Sequence, residues 1–147
     1  MAVEIRPYKE ADFEALCRID AQSYAPEIAY SRRTMRAFLR LPGAECLVAE
    51  EDGEIRGFIL TDRDGPAGHV ITLDVAPESR RRKIGTELAE AAHVSLARHG
   101  VREVDLETST ENAAAVAFWK KQRYRECGVL TNYYQNGEDA YWMVRSI

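Results

Sequence analysis

Neither cysteine nor histidine is plentiful in these 147 residues, and neither is spaced like a metal site; there are three of each. Cys17, Cys46 and Cys127 are odd in number and lie among apolar neighbours, which reads as three structural thiols. His69, His93 and His99 are scattered with no pair in a zinc pattern, so no metal is implied. No apolar run approaches the length needed to cross a bilayer, and the first stretch, MAVEIRPYKEADF, lacks the hydrophobic region of a secretory leader. The cytoplasm is the expected compartment and a membrane partner is not expected. Positive charge is short as well. Twenty Lys and Arg against 24 Asp and Glu give a net charge of −4, which argues against general nucleic-acid binding and makes any basic stretch a local exception. No linker or repeat divides the chain, so residues 1–147 read as a single domain, long enough to bury a core.

What is present is a periodic pattern of ordinary globular composition, 46% hydrophobic and 30% charged. Val3 to Arg6 reads as a short strand closed by Pro7. Asp12 precedes Phe13, Leu16, Cys17 and Asp20 at helical spacing, and Ser31 precedes Met35, Phe38 and Leu39 in a second helix, with the loop AQSYAPEIAY between them. Cys46 to Glu50 and Ile55 to Thr61 read as strands joined at Asp52-Gly53, and DRDGPAG as the next turn. His69 to Val75 is apolar enough for a central strand, which Pro77 ends. Ile84, Leu88, Ala92, Ser95 and Leu96 then mark one helical face, with Gly100 as its stop. A strand over Val101 to Glu107, a helix from Asn112 to Gln122, and strands near Tyr124 to Leu130 and Ala140 to Arg145 complete a mixed α/β layer.

The most informative stretch is Val75 to Leu88, VAPESRRRKIGTEL, which runs from an apolar strand through four cations into an amphipathic helix. A helix start carries partial positive charge, so cations are unfavourable there unless an anion sits on the free backbone N–H groups. That predicts a phosphate-bearing ligand. A solvated basic turn is the alternative reading of the same charges.

Three blocks carry a family resemblance. The basic loop is similar to the Q/R-x-x-G-x-G/A phosphate loop of the GNAT superfamily of acyl-CoA-dependent N-acyltransferases: Arg80, Ile84 and Gly85 match, whereas Lys83 stands where the first glycine belongs. Leu106 to Tyr124, LETSTENAAAVAFWKKQRY, resembles the family's later segment at Glu107, Asn112, Ala115 and Phe118; Trp119 replaces a tyrosine, and Arg123 with Tyr124 replaces Gly-Phe. Asn132 to Met143, NYYQNGEDAYWM, resembles the tail of RimI-like and related protein N-terminal acetyltransferases. The blocks lie in family order and span nearly the whole chain.

The resemblance implies the GNAT fold, a mixed and mostly antiparallel central sheet flanked by helices. It implies acetyl-CoA as cosubstrate, with no metal. The backbone of Leu73, Asp74 and Val75 would pair with the pantetheine arm and supply an oxyanion donor, and Arg80, Arg81, Arg82, Lys83, Ile84, Gly85 and Thr86 would hold the phosphates. Asn112 would contact the cofactor, although Asn there is also a good helix N-cap, worth on the order of 1 kcal/mol. Trp119 would line the acyl pocket, where the residue pattern alone reads as a core aromatic. Glu107 would be the general base, whereas strand alternation puts it with Glu103 and Asp105 on what can be a solvated acidic face. Tyr133 and Tyr134 would bind acceptor backbone, with Tyr30 and Tyr24 forming the opposite wall.

The expected activity is transfer of an acetyl group from acetyl-CoA to the N-terminal α-amine of a protein or peptide. An α-amine of pKa about 7.7–8.0 is roughly a tenth neutral at pH 7, against about one in a few thousand for lysine, which suits a lone carboxylate base. The alternatives are a small-amine acetyltransferase acting on a polyamine, amino acid or drug, and a non-catalytic acyl-CoA-binding module. A monomer or homodimer is expected.

Overall fold

The computed structural model describes residues 3–80 and 82–147. In chain order the elements are β1 (Glu4–Pro7), a 3-10 turn (Glu10–Asp12), α1 (Phe13–Ser23), α2 (Arg32–Leu39), β2 (Glu45–Glu51), β3 (Glu54–Asp64), β4 (Ala67–Val75), a second 3-10 turn (Pro77–Ser79), α3 (Ile84–Arg98), β5 (Glu103–Ser109), α4 (Ala113–Lys121), β6 (Arg125–Leu130) and β7 (Ala140–Ser146). The described residues form one sheet in the order β1-β2-β3-β4-β5-β7-β6. Every neighbouring pair is antiparallel except β4 with β5, which is parallel.

Alternation along the strands sends side chains to two cores. Ile59, Leu106 and Met143 pack beneath α3 against Ile84, Leu88, Ala92 and Leu96. On the other face Val48, Phe58 and Leu60 meet Phe13, Leu16 and Ile19 of α1 and Met35 of α2. Full burial of such side chains is worth about 1.5–3 kcal/mol each. The helix starts obey local chemistry: Ser31 Oγ accepts the Thr34 N–H at 3.1 Å, and Asn112 Oδ1 accepts that of Ala115 at 3.1 Å.

Two features of β4 create the working part of the fold. One step along β3, Leu60 to Thr61, is matched by two along β4, Thr72 to Val70, so Ile71 is an inserted bulge residue. The parallel pairing with β5 runs only through Ala67↔Glu103, Gly68↔Val104 and His69↔Asp105. Beyond His69 both strands continue, held by their outer neighbours, and part from one another.

Several boundaries differ from the sequence reading. Pro7 belongs to β1, an edge strand where a missing N–H is tolerated. The turn read over DRDGPAG shrinks to Gly65-Pro66, because Asp64 pairs with Ala67 and the polar residues before it continue β3. The fifth strand starts at Glu103 and runs past Glu107 to Ser109, since β7 extends the ladder as far as Ser109↔Ala140. Cys46 is buried and Cys17 half-buried, but Cys127 is exposed, so it is no core thiol. It sits on β6, a sheet edge whose six residues are all exposed.

Lys83 and Arg123, which occupy positions of family glycines, both adopt left-handed backbone, with φ of 63° and 71°. A side chain there costs about 1–2 kcal/mol, partly offset by the roughly 0.5–1 kcal/mol of chain entropy that glycine would add. Lys83→Gly and Arg123→Gly should each stabilise the chain by up to about 1 kcal/mol, read as a rise of a few degrees in melting temperature. A lower melting temperature in either variant would contradict the strain.

Candidate active site

The parting of β4 from β5 opens a cleft of about 1390 Å³. β4 from His69 to Val75 and β5 from Leu106 to Ser109 form its floor; the α1–α2 loop with Tyr24 and Tyr30 and the β6–β7 loop with Tyr133 and Tyr134 form its sides.

At one end lies the start of α3. Its first helical bond runs from the Glu87 N–H to Lys83 O at 3.0 Å, so the amides of Ile84, Gly85 and Thr86 have no intrahelical partner and are free to meet an anion. Arg80 lines this end, and its Nε–H donates to Val75 O at 3.2 Å. A Cβ on Gly85 would stand 3.4 Å from Phe118 Cε1 and 3.7 Å from Val75 Cγ2, ordinary contact distances. The other predicted phosphate contacts divide. Arg82 is committed to Glu51, donating to its two oxygens at 2.8 and 2.6 Å. The Ile84 side chain is buried in the α3 core, which leaves only its amide for a ligand. The side chains of Lys83 and Thr86 do not line the cleft, and Arg81 lies outside the described residues.

In the middle, Leu73, Asp74 and Val75 present the β4 edge that β5 has left. The Asp74 carboxyl is buried and accepts the Thr72 hydroxyl at 2.7 Å. Burial pushes its pKa well above the usual range, with Asp20 adding to the shift. Asp20, also buried, accepts the Tyr30 N–H at 2.7 Å and so ties down the α1–α2 loop. Asp20 Oδ1 and Asp74 Oδ2 are buried oxygens without a hydrogen-bond partner among the described residues. Asn112 caps α4 at the cleft rim. Trp119 is 7% exposed and packs edge-on against Phe118 and Tyr124, with centroids 4.9 and 5.1 Å away, so it borders the cleft as part of the core wall.

At the other end stands Glu107, partly buried. Its Oε1 accepts the Tyr133 hydroxyl at 3.1 Å and lies 3.6 Å from His69 Nε2. His69 Nδ1 is 2.7 Å from Asp105 Oδ1, and Trp142 Nε1–H donates to Asp105 Oδ2 at 2.9 Å. Partial burial, then the charge of Glu107, pushes the Tyr133 phenol up to about 12, so it is a donor to the carboxylate rather than a competing base. Burial likewise lifts Tyr30 to about 12 and raises Tyr134. The two adjacent tyrosines meet edge to face at 4.9 Å.

A cleft with amide donors and a cation at one end and a hydrogen-bonded carboxylate at the other suits transfer from a phosphate-bearing donor to an amine. A model described as the acetyltransferase (GNAT) family matches residues 13–124. The chain belongs to the GNAT family. An uncharacterized N-acetyltransferase of Methanocaldococcus jannaschii is 31% identical over 96% of this chain and 90% of its own length. An N-alpha-acetyltransferase of Sulfurisphaera tokodaii is 34% identical over 68% of each. Among solved structures, Ard1 from Thermoplasma volcanium superposes with a TM-score of 0.91 at 27% identity, covering 100% of this chain and 99% of that one. The protein is an acetyl-CoA-dependent N-acetyltransferase, and the open β4 edge with the free α3 amides fits that donor.

His69, Asp105 and Trp142 escaped the sequence reading. His69 is separated from Asp105 by the whole of α3 and two loops, and only the parallel register sets them opposite each other. The alternation of Glu103, Asp105 and Glu107 was the available signal, since it marked the face on which partners had to lie.

Gly85→Asp tests the anion site. The Cβ has room, and a carboxylate in the first turn favours the helix, so the variant should fold with unchanged or raised melting temperature. Acetyl-CoA binding by calorimetry should nonetheless weaken by tenfold or more. A stable variant with wild-type affinity would exclude this helix start from binding the donor.

Proposed function

We propose that the acceptor is the N-terminal α-amine of a protein or peptide and that Glu107 takes its proton. The observation that carries this reading is the setting of Glu107, on the cleft floor with Tyr133 at 3.1 Å and His69 at 3.6 Å. The relative's name, N-alpha-acetyltransferase, supports the acceptor class, as does the open groove between the tyrosines of the two loops. The proton from the ammonium passes to Glu107 and then to His69, which the Asp105 carboxylate steadies. The neutral amine attacks the thioester carbon, an amide N–H from Leu73 to Val75 supports the developing oxyanion, the nitrogen gives up its second proton to water, and the C–S bond breaks with the sulfur leaving as thiolate. Arg80 and the amides of Ile84, Gly85 and Thr86 hold the phosphates, Asn112 and Trp119 border the donor, and Tyr30, Tyr133 and Tyr134 hold the peptide. An indole offers only an N–H and cannot protonate the leaving thiolate. A thiol of pKa about 8.5 is a tolerable leaving group as the free thiolate, with water supplying the proton afterwards.

The cleft is also lined by Glu27, Asp62, Glu111 and Glu138, which favours a second reading, a polycationic small amine. Mass spectrometry of products from N-terminal peptides, lysine peptides and polyamines separates the two. No helix among the described residues is long and apolar enough to cross a membrane. We read residues 1–147 as one cytoplasmic domain working as a monomer or homodimer.

Glu107→Gln should lower turnover by roughly 10²-fold or more at nearly unchanged acetyl-CoA affinity, because general-base help is of that order. Its rate should recover as pH rises through the amine pKa of about 7.7–8.0, since the neutral acceptor then needs no base. A small loss with an unaltered pH profile would return Glu107 to a solvated face.

Trp119→Tyr keeps an aromatic wall and adds a phenol, so turnover should hold or rise. Trp119→Ala removes a buried indole and should destabilise by about 3–5 kcal/mol. An inactive Trp119→Tyr that still binds acetyl-CoA would show that the indole itself is required.

A further inference from the structure

The group formed by His69, Asp105 and Glu107 has its ligand atoms within 4.8 Å of one another. The Nδ1–H of His69 faces Asp105 Oδ1 at 2.7 Å, while the second oxygen of Asp105 is occupied by the Trp142 indole N–H at 2.9 Å. The imidazole is therefore fixed as to tautomer and orientation. Its Nε2 points away from Asp105 and stands 3.6 Å from Glu107 Oε1. The ring nitrogen and the carboxylate oxygen thus face each other across a gap of a size that a metal ion bridges.

We propose that His69 and Glu107, oriented by Asp105, bind a divalent transition-metal ion of the zinc class at the acceptor end of the cleft, and that the bound ion excludes the acceptor amine. The size is right. Two donors at about 2.0–2.1 Å from a tetrahedral zinc lie roughly 3.3–3.4 Å apart, so a shift of a few tenths of an ångström closes the site. The chemistry selects the ion class, because an imidazole with a carboxylate suits zinc, whereas magnesium and calcium prefer oxygen alone. Asp105 on the far ring nitrogen is the outer partner that metal-binding histidines ordinarily have; it raises the basicity of Nε2 and holds the ring. Both ligands can be reached from the cleft, with the His69 and Glu107 side chains 37% and 18% exposed. Two protein ligands make this a weak, exchangeable site completed by water. The ion sits on the oxygen that would receive the amine proton. That consequence rests on Glu107 acting as base, whereas the binding itself does not.

The test begins with calorimetry of the Cys127→Ser chain, which removes the exposed thiol as a rival ligand. Titration with zinc chloride should show one ion per chain with micromolar affinity, and magnesium chloride should show none. His69→Gln, confirmed as folded by circular dichroism, should lose the site, and Asp105→Asn should weaken it roughly tenfold or more, the usual effect of an outer partner. Cobalt absorption supplies a second readout, with a ligand-field band present in the parent and absent in His69→Gln. Under turnover, zinc should compete with the peptide acceptor and not with acetyl-CoA. Affinity weaker than millimolar, or zinc bound equally by a folded His69→Gln, would overturn the site. A site that saturates without slowing turnover would overturn its competition with the acceptor. Failure of the zinc-free enzyme to acetylate any amine would count against the acceptor reading, while calorimetry would still decide the metal.

Discussion

The parting of β4 from β5 after His69↔Asp105 is the constraint on which the rest of the molecule depends. Each strand is held on its outer side, β4 by β3 as far as Gly57↔Val75 and β5 by β7 as far as Ser109↔Ala140, so neither collapses into the gap. The inserted residue Ile71 lies where the separation begins, as expected of a bulge that bends its strand. Because the two strands diverge in parallel, the open backbone of Leu73 to Val75 and the carboxylate of Glu107 line one cleft. The α1–α2 loop is then fastened over it through the buried Asp20.

Much of this was legible in the sequence because local chemistry decides it. The β2–β3 hairpin follows from Asp52-Gly53, both at positive φ, 52° and 78°. Ser31 and Asn112 announce their helices by capping them. The turn at Gly65-Pro66 was read too long because Asp62, Arg63 and Asp64 look like loop residues, yet a hairpin's outer end needs no apolar side chains to stay paired. Cys127 looked like a core thiol from its neighbours, but coverage of a strand is set by the layers above it, which local sequence does not report. For the site, a family motif located Glu107 and the basic loop. His69 was invisible for a different reason: its partners come from another strand, and register is a tertiary property.

Lys83 and Arg123 show how a motif can change while its geometry persists. Both occupy family glycine positions, and both keep the left-handed backbone a glycine would adopt freely. The first-turn amides of α3 thus stay free of intrahelical bonds although the first glycine is gone. Arg82 spends its guanidinium on the buried Glu51 and secures the loop to the end of β2. Of the four cations, the described ones have different duties: Arg80 faces the cleft, Arg82 is an anchor, and Lys83 makes the turn.

The sheet is mechanically an open book. One cover is β1 to β4, the other is β5, β7 and β6, and the spine is the short run Ala67 to His69. A donor laid along the free edge of β4, as proposed, would stand in for the missing strand and close backbone bonds that the protein cannot close itself. Cohesion between the covers would then be partly borrowed from the donor and rise with occupancy by ordinary mass action. Amide protons along that edge should report filling of the cleft more sensitively than any global measure of unfolding, because the spine opens at lower cost than either cover melts.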